Sequence, residues 1–420
     1  MDDLHGLTYA QRRQQLYGHM REEGIFTWDE MYGEEYALAS VHLITDSFRE
    51  ELTAATAVLA RIFAKTVPVV QQADEQLLLE LGVPEAAVEA VRLAIMPECP
   101  TVIGRFDFAQ TPQGLKMLEC NSDTPTGIVE AFYVNGEVCS RFQVKNPNAG
   151  MERHIHQAFA RIVQRYRELG YPTERIWFSA LDWHEEDAGT TRYLLQQSGL
   201  PGSFIPLADL RVTDEGVYAA VGEEICSIDL LYRLHALEKL AFETDEEGFP
   251  SGAQLLALTA GRKVGIINPP SAFIAQTKAL QALIWGLHEA GEFFDDDEQE
   301  AIRTYMLPTY FTNEFHGRRA YVTKPIFGRE GGGVTLYRAD GQELERDQES
   351  EYWDQQMIYQ EMAQLPAIQV ETLGGLFSGH LLWGSFFIGG EPSALVARVG
   401  GRITNNMSYF LPVGVRGNKN

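Results

Sequence analysis

Residues 104–121 constrain this chain more than any other stretch. They read Gly104-Arg105-Phe106-Asp107-Phe108-Ala109-Gln110-Thr111-Pro112-Gln113-Gly114-Leu115-Lys116-Met117-Leu118-Glu119-Cys120-Asn121. Strand-like residues on both sides of Pro112-Gln113-Gly114 predict a β-hairpin. Proline presets the first turn dihedral and glycine accepts positive φ, so a three-residue loop setting Thr111 against Leu115 is expected. That register puts Asp107 opposite Glu119 and Arg105 opposite Asn121. Side chains alternate faces along a strand. Arg105, Asp107, Glu119 and Asn121 therefore share one face, and Phe106, Phe108, Leu118 and Cys120 the other.

Two directly opposed carboxylates repel each other unless a cation lies between them. Arg105 can neutralise one. A divalent ion would take both, with Asn121 as a neutral oxygen ligand. Hard oxygen donors suit Mg²⁺, which completes its shell with phosphate oxygens and water. Taken alone, a solvated hairpin face with an ordinary salt bridge explains these residues equally well. The small polar turn that follows, Ser122-Asp123-Thr124-Pro125-Thr126-Gly127, favours the site reading. Its backbone N–H groups and hydroxyls are expected to hold a phosphate or substrate.

A second segment, Tyr321-Val322-Thr323-Lys324-Pro325-Ile326-Phe327-Gly328-Arg329-Glu330-Gly331-Gly332-Gly333-Val334-Thr335-Leu336-Tyr337, predicts strand, glycine-rich turn, strand. Consecutive N–H groups around Gly331, Gly332 and Gly333 can form an anion-binding nest. Lys324 on the leading strand is placed to reach nucleotide phosphates. The lysine precedes the glycines and a strand follows, so this is not a Walker A loop, and GxGxxG is absent here. A lone glycine-rich hairpin is more often a flexible turn; Lys324 and Arg329 favour the functional reading. Lys278 is a second candidate phosphate lysine. The apolar run at 357–366 leads into a linker that can present backbone to an adenine ring, which makes Gln360 and Glu361 candidates. A plain domain crossover accounts for that segment equally well.

Elsewhere, apolar spacing predicts helices at 8–25 and 34–66, two more within 74–97, and further ones at 149–169, 189–198 and 274–290. Alternating short apolar and helical runs from 176 to 232 predict an α/β layer, with Ile225 to Tyr232 as one strand. The acidic stretch 291–300 reads as a solvated loop or helix start. Strands are expected at 381–388, 393–399 and 403–410. A net charge of −25 over 420 residues argues against nucleic-acid and anionic-membrane partners. Its plain reading is solubility; attraction of cationic substrates is the minority one. No basic leader and no run of about 18 apolar residues is seen, so neither a signal peptide nor a transmembrane helix is expected. Cys99, Cys120, Cys139 and Cys226 are scattered, which fits a reducing cytoplasm.

The set formed by residues 104–108, 118–130 (LECNSDTPTGIVE), 228–238 (IDLLYRLHALE), 324–334 (KPIFGREGGGV), 359–366 and 398–412 resembles the glutathionylspermidine synthase family in its synthetase domain. The likeness runs from about residue 28 to the C-terminus. It implies an α/β (α+β) ATP-grasp fold with a helical N-terminal region and a substrate-side α/β layer. The expected division is 1–100 helical, 101–262 metal- and substrate-binding core, 263–360 nucleotide lid lobe and 361–420 C-terminal strands.

The resemblance also implies a reaction: ATP phosphorylates a substrate carboxylate, and an amine attacks the acyl phosphate. It makes Asp107, Glu119 and Asn121 ligands of magnesium, with two ions expected. Arg105 then contacts the transferred phosphate or acyl oxygen, and Lys278 and Lys324 hold nucleotide phosphates under the Gly331–Gly333 loop. Arg398, or the nearby Arg402, is the late arginine that stabilises the tetrahedral intermediate. Ser122, Thr124, Thr126, Glu186, Asp187, Arg233 and Glu238 match the substrate region. Glu185-Glu186-Asp187 serves equally as an acidic helix start favoured by the macrodipole. The expected partners are a small peptide or amino-acid carboxylate and an amine. Arg233 stands where the bifunctional members carry a small hydroxyl residue, so the likeness leaves open whether glutathione or a polyamine is used. No cysteine precedes Cys99, so no thiol amidase is expected. A kinase or ATPase on the same nucleotide site, and a nucleotide-binding protein without ligase activity, are the alternatives.

Overall fold

The computed structural model describes residues 4, 6–99, 101–329, 331–348, 352–405 and 407–416; Glu330, within the glycine-rich segment, lies outside them. The hairpin forms from strands Ile103–Thr111 and Gly114–Asn121. Its turn differs from expectation. Thr111 pairs with Gly114, so the loop holds two residues, and a bulge between Asp107 and Phe108 shifts the register back by one. The two departures cancel: Asp107 still faces Glu119, and Arg105 still faces Asn121. The bulge has a consequence for packing. Met117 pairs with Phe108 and is buried, whereas Leu118 leaves the expected core face and lines a cavity.

The hairpin is one edge of a six-stranded antiparallel sheet. Its order is Tyr409–Leu411, Glu391–Gly400, Gly375–Ile388, Ile103–Thr111, Gly114–Asn121, and Ala367–Thr372 also pairs with Gly375–Ile388. Long-range pairing of residues near 105 with residues near 385 thus builds the sheet. Helix Asp46–Gln71 covers one face, with Phe63 edge-on to Phe106 at 5.3 Å and Phe48 edge-on to Trp383 at 5.0 Å. This is one long helix running past Pro68, while residues 34–35 and 42–44 are short strands rather than its beginning. Contrary to expectation, its length and hydropathy would suffice for a membrane span. The Phe63 and Phe48 contacts account for its apolar face as core.

A second antiparallel sheet, in the order Thr309–Tyr310, Met357–Glu361, Tyr321–Pro325, Thr335–Tyr337, Glu343–Arg346, stands across from the first. A parallel sheet, Gly265–Ile267, Leu230–Arg233, Ile176–Ala180, Gly202–Pro206, forms the third layer. The run from Ile225 to Tyr232 splits at Asp229: Glu224–Ile228 joins a separate three-stranded antiparallel sheet, and Leu230–Arg233 joins the parallel one. Residues 272–290 form two helices, Ala272–Gln276 and Lys278–Ala290, broken at Thr277, whose hydroxyl caps the second. The acidic stretch starts helix Asp296–Tyr305 through an Asp295/Glu298 capping box. Of the strand expected at 403–410, the described residues form only its end, within Tyr409–Leu411, and residue 406 lies outside them. Asn268 knits the layers together. Its carbonyl accepts from Val102 and Ile103 N–H, and its amide donates to the carbonyls of Ile103, Ser122 and Asp123.

Candidate functional site

The two antiparallel sheets enclose a cavity of about 310 Å³. One sheet contributes Asp107, Leu118, Glu119, His380, Leu382 and Arg398; the other contributes Val322, Lys324, Leu336 and Gln360. Glu361, Lys278, Gly331 and Arg402 also line it. The walls are divided. Val322, Val334, Leu336, Met362 and Leu365 give an apolar side, while Asp107, Glu119, Lys278, Lys324 and Arg398 bring charge. An apolar slot beside a few convergent charged groups is the usual form of a small-molecule site.

Asp107 is the most densely held group. Arg105 grips it with two donors, Nε to Oδ1 at 2.6 Å and Nη2 to Oδ2 at 2.9 Å. Arg398 Nη2 reaches Oδ2 at 2.9 Å and Asn121 Nδ2 reaches it at 3.4 Å. Paired, planar donors of this kind suit arginine rather than lysine. Arg105 is buried behind Asp107 and does not line the cavity, which differs from the expected contact with a phosphate or acyl oxygen. Gly384, opposite Asp107 on the neighbouring strand, makes this possible. A Cβ there would lie 2.8 Å from Arg105 Cδ and 2.7 Å from Val396 Cγ1. Arg402 shares the cavity wall, but among the described residues Arg398 alone of the two bonds Asp107.

Burial alone would raise the Glu119 carboxyl, yet Lys278, Lys324, Arg398 and Arg105 together hold it down to about 2. Its nearest cation is Lys278 Nζ at 3.4 Å. Burial is also the main cause that brings Lys324 down to about 8, opposed by Glu119 and reinforced by Lys278. Lys324 Nζ donates to the Leu118 carbonyl at 3.0 Å and to Gln360 Oε1 at 2.7 Å, and Lys278 Nζ donates to the Gly328 carbonyl at 2.7 Å. Gln360 thus contributes its side chain, where a backbone contact to a ring was expected. Glu361 N–H is taken by the Pro308 carbonyl and its carboxylate by Arg319. Asp107 and Glu119 face each other on the hairpin and both line the cavity, whereas Asn121 lies outside that lining and turns its amide Nδ2 toward Asp107. Among the described residues no group of three or more His, Cys, Asp and Glu gathers.

The glycine-rich loop is not an open nest. Gly331 lines the cavity, but Gly332 N–H bonds the Arg329 carbonyl and Gly333 N–H bonds Asp347. The Ser122 turn is likewise committed. Ser122 and Asp123 N–H groups both go to Gln276 Oε1, and the Ser122 hydroxyl donates to the Ala272 carbonyl. These groups are therefore not open to a phosphate as expected. Asp123 and Arg233 form a buried ion pair, Nη2 to Oδ1 at 2.6 Å. Arg329 crosses from the loop to this layer, with Nε on Glu238 at 2.7 Å and Nη1 on Thr124 Oγ1 at 2.8 Å. Thr126 offers its carbonyl to Arg105 at 2.6 Å and its hydroxyl side to Glu186. Glu186 and Asp187 lie in the first turn of helix Glu185–Ser198, away from the cavity wall.

Sequence reasoning missed Gly384, Tyr36, Trp28 and Glu130. The last three meet only through tertiary contacts: Glu130 Oε1 accepts from Trp28 Nε1 at 2.8 Å and Tyr36 OH at 3.1 Å. No local pattern marks such a meeting; a glutamate inside an otherwise apolar run, Gly127-Ile128-Val129-Glu130-Ala131-Phe132, is the one available signal.

Comparison with known proteins places these residues in context. The family model described as "Glutathionylspermidine synthase preATP-grasp" matches residues 8–416. The "Putative acid--amine ligase" of Haemophilus influenzae is 25% identical over 325 residues, covering 74% of each chain. The "Bifunctional glutathionylspermidine synthetase/amidase" of Escherichia coli is 24% identical over 377 residues, 82% of this chain and 56% of that one. The match thus spans little more than half the length of the bifunctional relative. The apo structure of a glutathione synthetase-like effector from Globodera pallida superposes with a TM-score of 0.59 at 12% identity, covering 97% of this chain and 96% of that one. That likeness shows an ATP-grasp type of fold.

Proposed function

The chain belongs to the glutathionylspermidine synthase family, a family of ATP-dependent carbon–nitrogen ligases, and on that basis we propose that it joins a small carboxylic acid to an amine through an acyl phosphate. The observation that carries this reading is the divided cavity. Its apolar side fits an adenine, and its charged side sets two lysines and an arginine against opposed carboxylates. Lys278 and Lys324 would neutralise nucleotide phosphates. Arg398, anchored on Asp107, would offer paired donors to the charge that develops on the acyl oxygen. Arg105 acts one layer back by fixing Asp107.

The donor set fits magnesium. Glu119 is ionised, faces the cavity, and has its nearest cation at 3.4 Å, which leaves lone pairs for a metal. Asp107, Glu119 and Asn121 would hold the ion, which when bound supplies charge neutralisation for phosphoryl transfer. The acid and amine would enter from the Thr124–Thr126 side, where Glu186, Asp187 and Glu238 stand. The whole activity of the bifunctional relative is not carried over. Cys99, Cys120, Cys139 and Cys226 are all free thiols, which supports a reducing compartment.

Hydroxylamine trapping tests the reading. With ATP, magnesium and mixed small peptides, a hydroxamate and ADP are expected; a stable phosphorylated product would indicate a kinase instead. Gly384 gives a second test. Gly384→Ala should displace Arg105 from Asp107 and lower turnover about 10²-fold, the scale of a misplaced catalytic geometry. Circular dichroism should stay that of the parent. Unchanged turnover would detach Arg105 from the site.

A further inference from the structure

Thr309 lies directly opposite Gln360 where strands Thr309–Tyr310 and Met357–Glu361 pair, and Gln360 lies opposite Val322 on the next strand. Side chains alternate along a strand, so Lys324, two residues on from Val322, shares their face. Val322, Lys324 and Gln360 line the cavity. Thr309 is 0% exposed and stands behind Gln360, outside that lining. The polar side chains form a chain of hydrogen bonds with one direction. Lys324 Nζ donates to Gln360 Oε1 at 2.7 Å, Gln360 Nε2 donates to Thr309 Oγ1 at 3.1 Å, and Thr309 Oγ1 donates to the Leu307 carbonyl at 2.8 Å. Both ends fix the amide between them. An ammonium has only donors, so it requires the oxygen of Gln360. The Thr309 hydroxyl gives its one hydrogen to Leu307 and keeps only lone pairs, so it requires the nitrogen. The other acceptor for Lys324 is the Leu118 carbonyl at 3.0 Å, from the opposite sheet. The hairpin bulge leaves Leu118 without a partner in the register, which frees that carbonyl.

We propose that Thr309 is a positioning residue: by fixing the direction of the Gln360 amide, it aims the Lys324 ammonium at the phosphates of a bound nucleotide. The inference rests on the reading of Lys324 as a phosphate lysine. Two of the three ammonium hydrogens go to Leu118 and Gln360. Among the described residues the third has no protein partner, and Lys324 lines the cavity. Both acceptors are neutral. Among the described residues no carboxylate forms an ion pair with Lys324, and the close cation of Glu119 is Lys278. A carboxylate acceptor would cancel the charge that a phosphate needs, whereas amide and peptide dipoles orient the ammonium and leave its charge in place. Burial works against that charge, so well-placed acceptors matter more here than at the surface. Without the Thr309 hydroxyl, Gln360 Nε2 loses its closest acceptor and the amide is free to turn. An amino group turned toward Lys324 would repel the ammonium. Thr309 lies outside the lining, so its effect on a nucleotide must pass through Gln360 and Lys324.

Isothermal titration of the full chain with ATP–magnesium and with adenosine tests this. Adenosine fills the apolar side without phosphates, so the ratio of the two affinities isolates what the phosphate contacts supply. Thr309→Val should lower ATP affinity about tenfold, the scale of one hydrogen bond to a charged group, and leave adenosine affinity within about twofold. Thr309→Ser keeps the hydroxyl and should recover most of the lost affinity. In a Lys324→Met background, which itself loses preference for ATP, Thr309→Val should change the ratio no further, because the two residues act in one line. Gln360→Met removes the acceptor without touching Thr309 and should lose the same preference, which decides the matter if Thr309→Val fails to fold. An unchanged ratio in either variant overturns the proposal. Equal losses for ATP and adenosine also overturn it, since they mark a structural role, as does a full further loss in the Lys324→Met background, which marks a route that bypasses the lysine. A wild-type chain that binds ATP no better than adenosine would refute the nucleotide reading of the cavity together with the relay. The titration reads binding alone, so its result stands apart from hydroxylamine trapping, which decides the acyl phosphate.

Discussion

Arg398→Ala should lower turnover by about 10²–10³, the cost of removing one oxyanion donor, while ATP binding stays largely intact. The side chain lines the cavity and is anchored by its 2.9 Å bond to Asp107, so its second amine edge is left to face the reacting group. Nucleotide affinity should survive because Lys278, Lys324 and the apolar wall are left in place. Arg402→Ala is the control. Arg402 lies in the same wall, beside Ile403 and Thr404, but among the described residues it makes no bond to Asp107. Its loss should cost much less turnover. Equilibrium binding of a fluorescent ATP analogue, set beside a coupled ADP assay, separates the two effects. Turnover preserved in Arg398→Ala, or a larger loss in Arg402→Ala, would reassign the late arginine.

Asp123→Ala should destabilise the protein by about 3–5 kcal/mol, because it leaves a buried cation without its counter-charge. Arg233 is 1% exposed and Asp123 1%, with Nη2 2.6 Å from Oδ1. Asp123 also accepts the Leu237 N–H at 2.9 Å, so the first turn of the following helix loses an anchor as well. A double variant, Asp123→Ala with Arg233→Leu, should recover part of the loss, since removing both charges is far cheaper than removing one. Urea denaturation of the single and double variants measures this. A single variant as stable as the parent would mean that water reaches Arg233.

The central pairing was legible because alternation around Pro112-Gln113-Gly114 left few registers in which both carboxylates share a face. The details behind it were not. The loop is one residue shorter than its residues predict, and the compensating shift between Asp107 and Phe108 leaves Leu118 unpaired between Met117 and Glu119, where the residues carry no sign of a break. The expected anion nests misled for a different reason. A glycine-rich or polar turn shows that N–H groups can be offered, but not who takes them; here Arg329, Asp347 and Gln276 do. Lys278, a candidate phosphate lysine from the sequence, is buried at the start of helix Lys278–Ala290, where its ammonium bonds the Gly328 carbonyl, and helical spacing alone does not report that burial. Glu130 depends on Trp28 and Tyr36, roughly a hundred residues away, and no periodicity reports contacts of that range.

The most direct measurement follows oxygen from acid to phosphate. Peptides labelled with oxygen-18 in the carboxylate are incubated with ATP, magnesium and mixed amines, and the inorganic phosphate is analysed by mass spectrometry. One labelled oxygen per phosphate, released with ADP, is the predicted result. Unlabelled phosphate accompanying amide formation, or AMP and pyrophosphate as products, would contradict it.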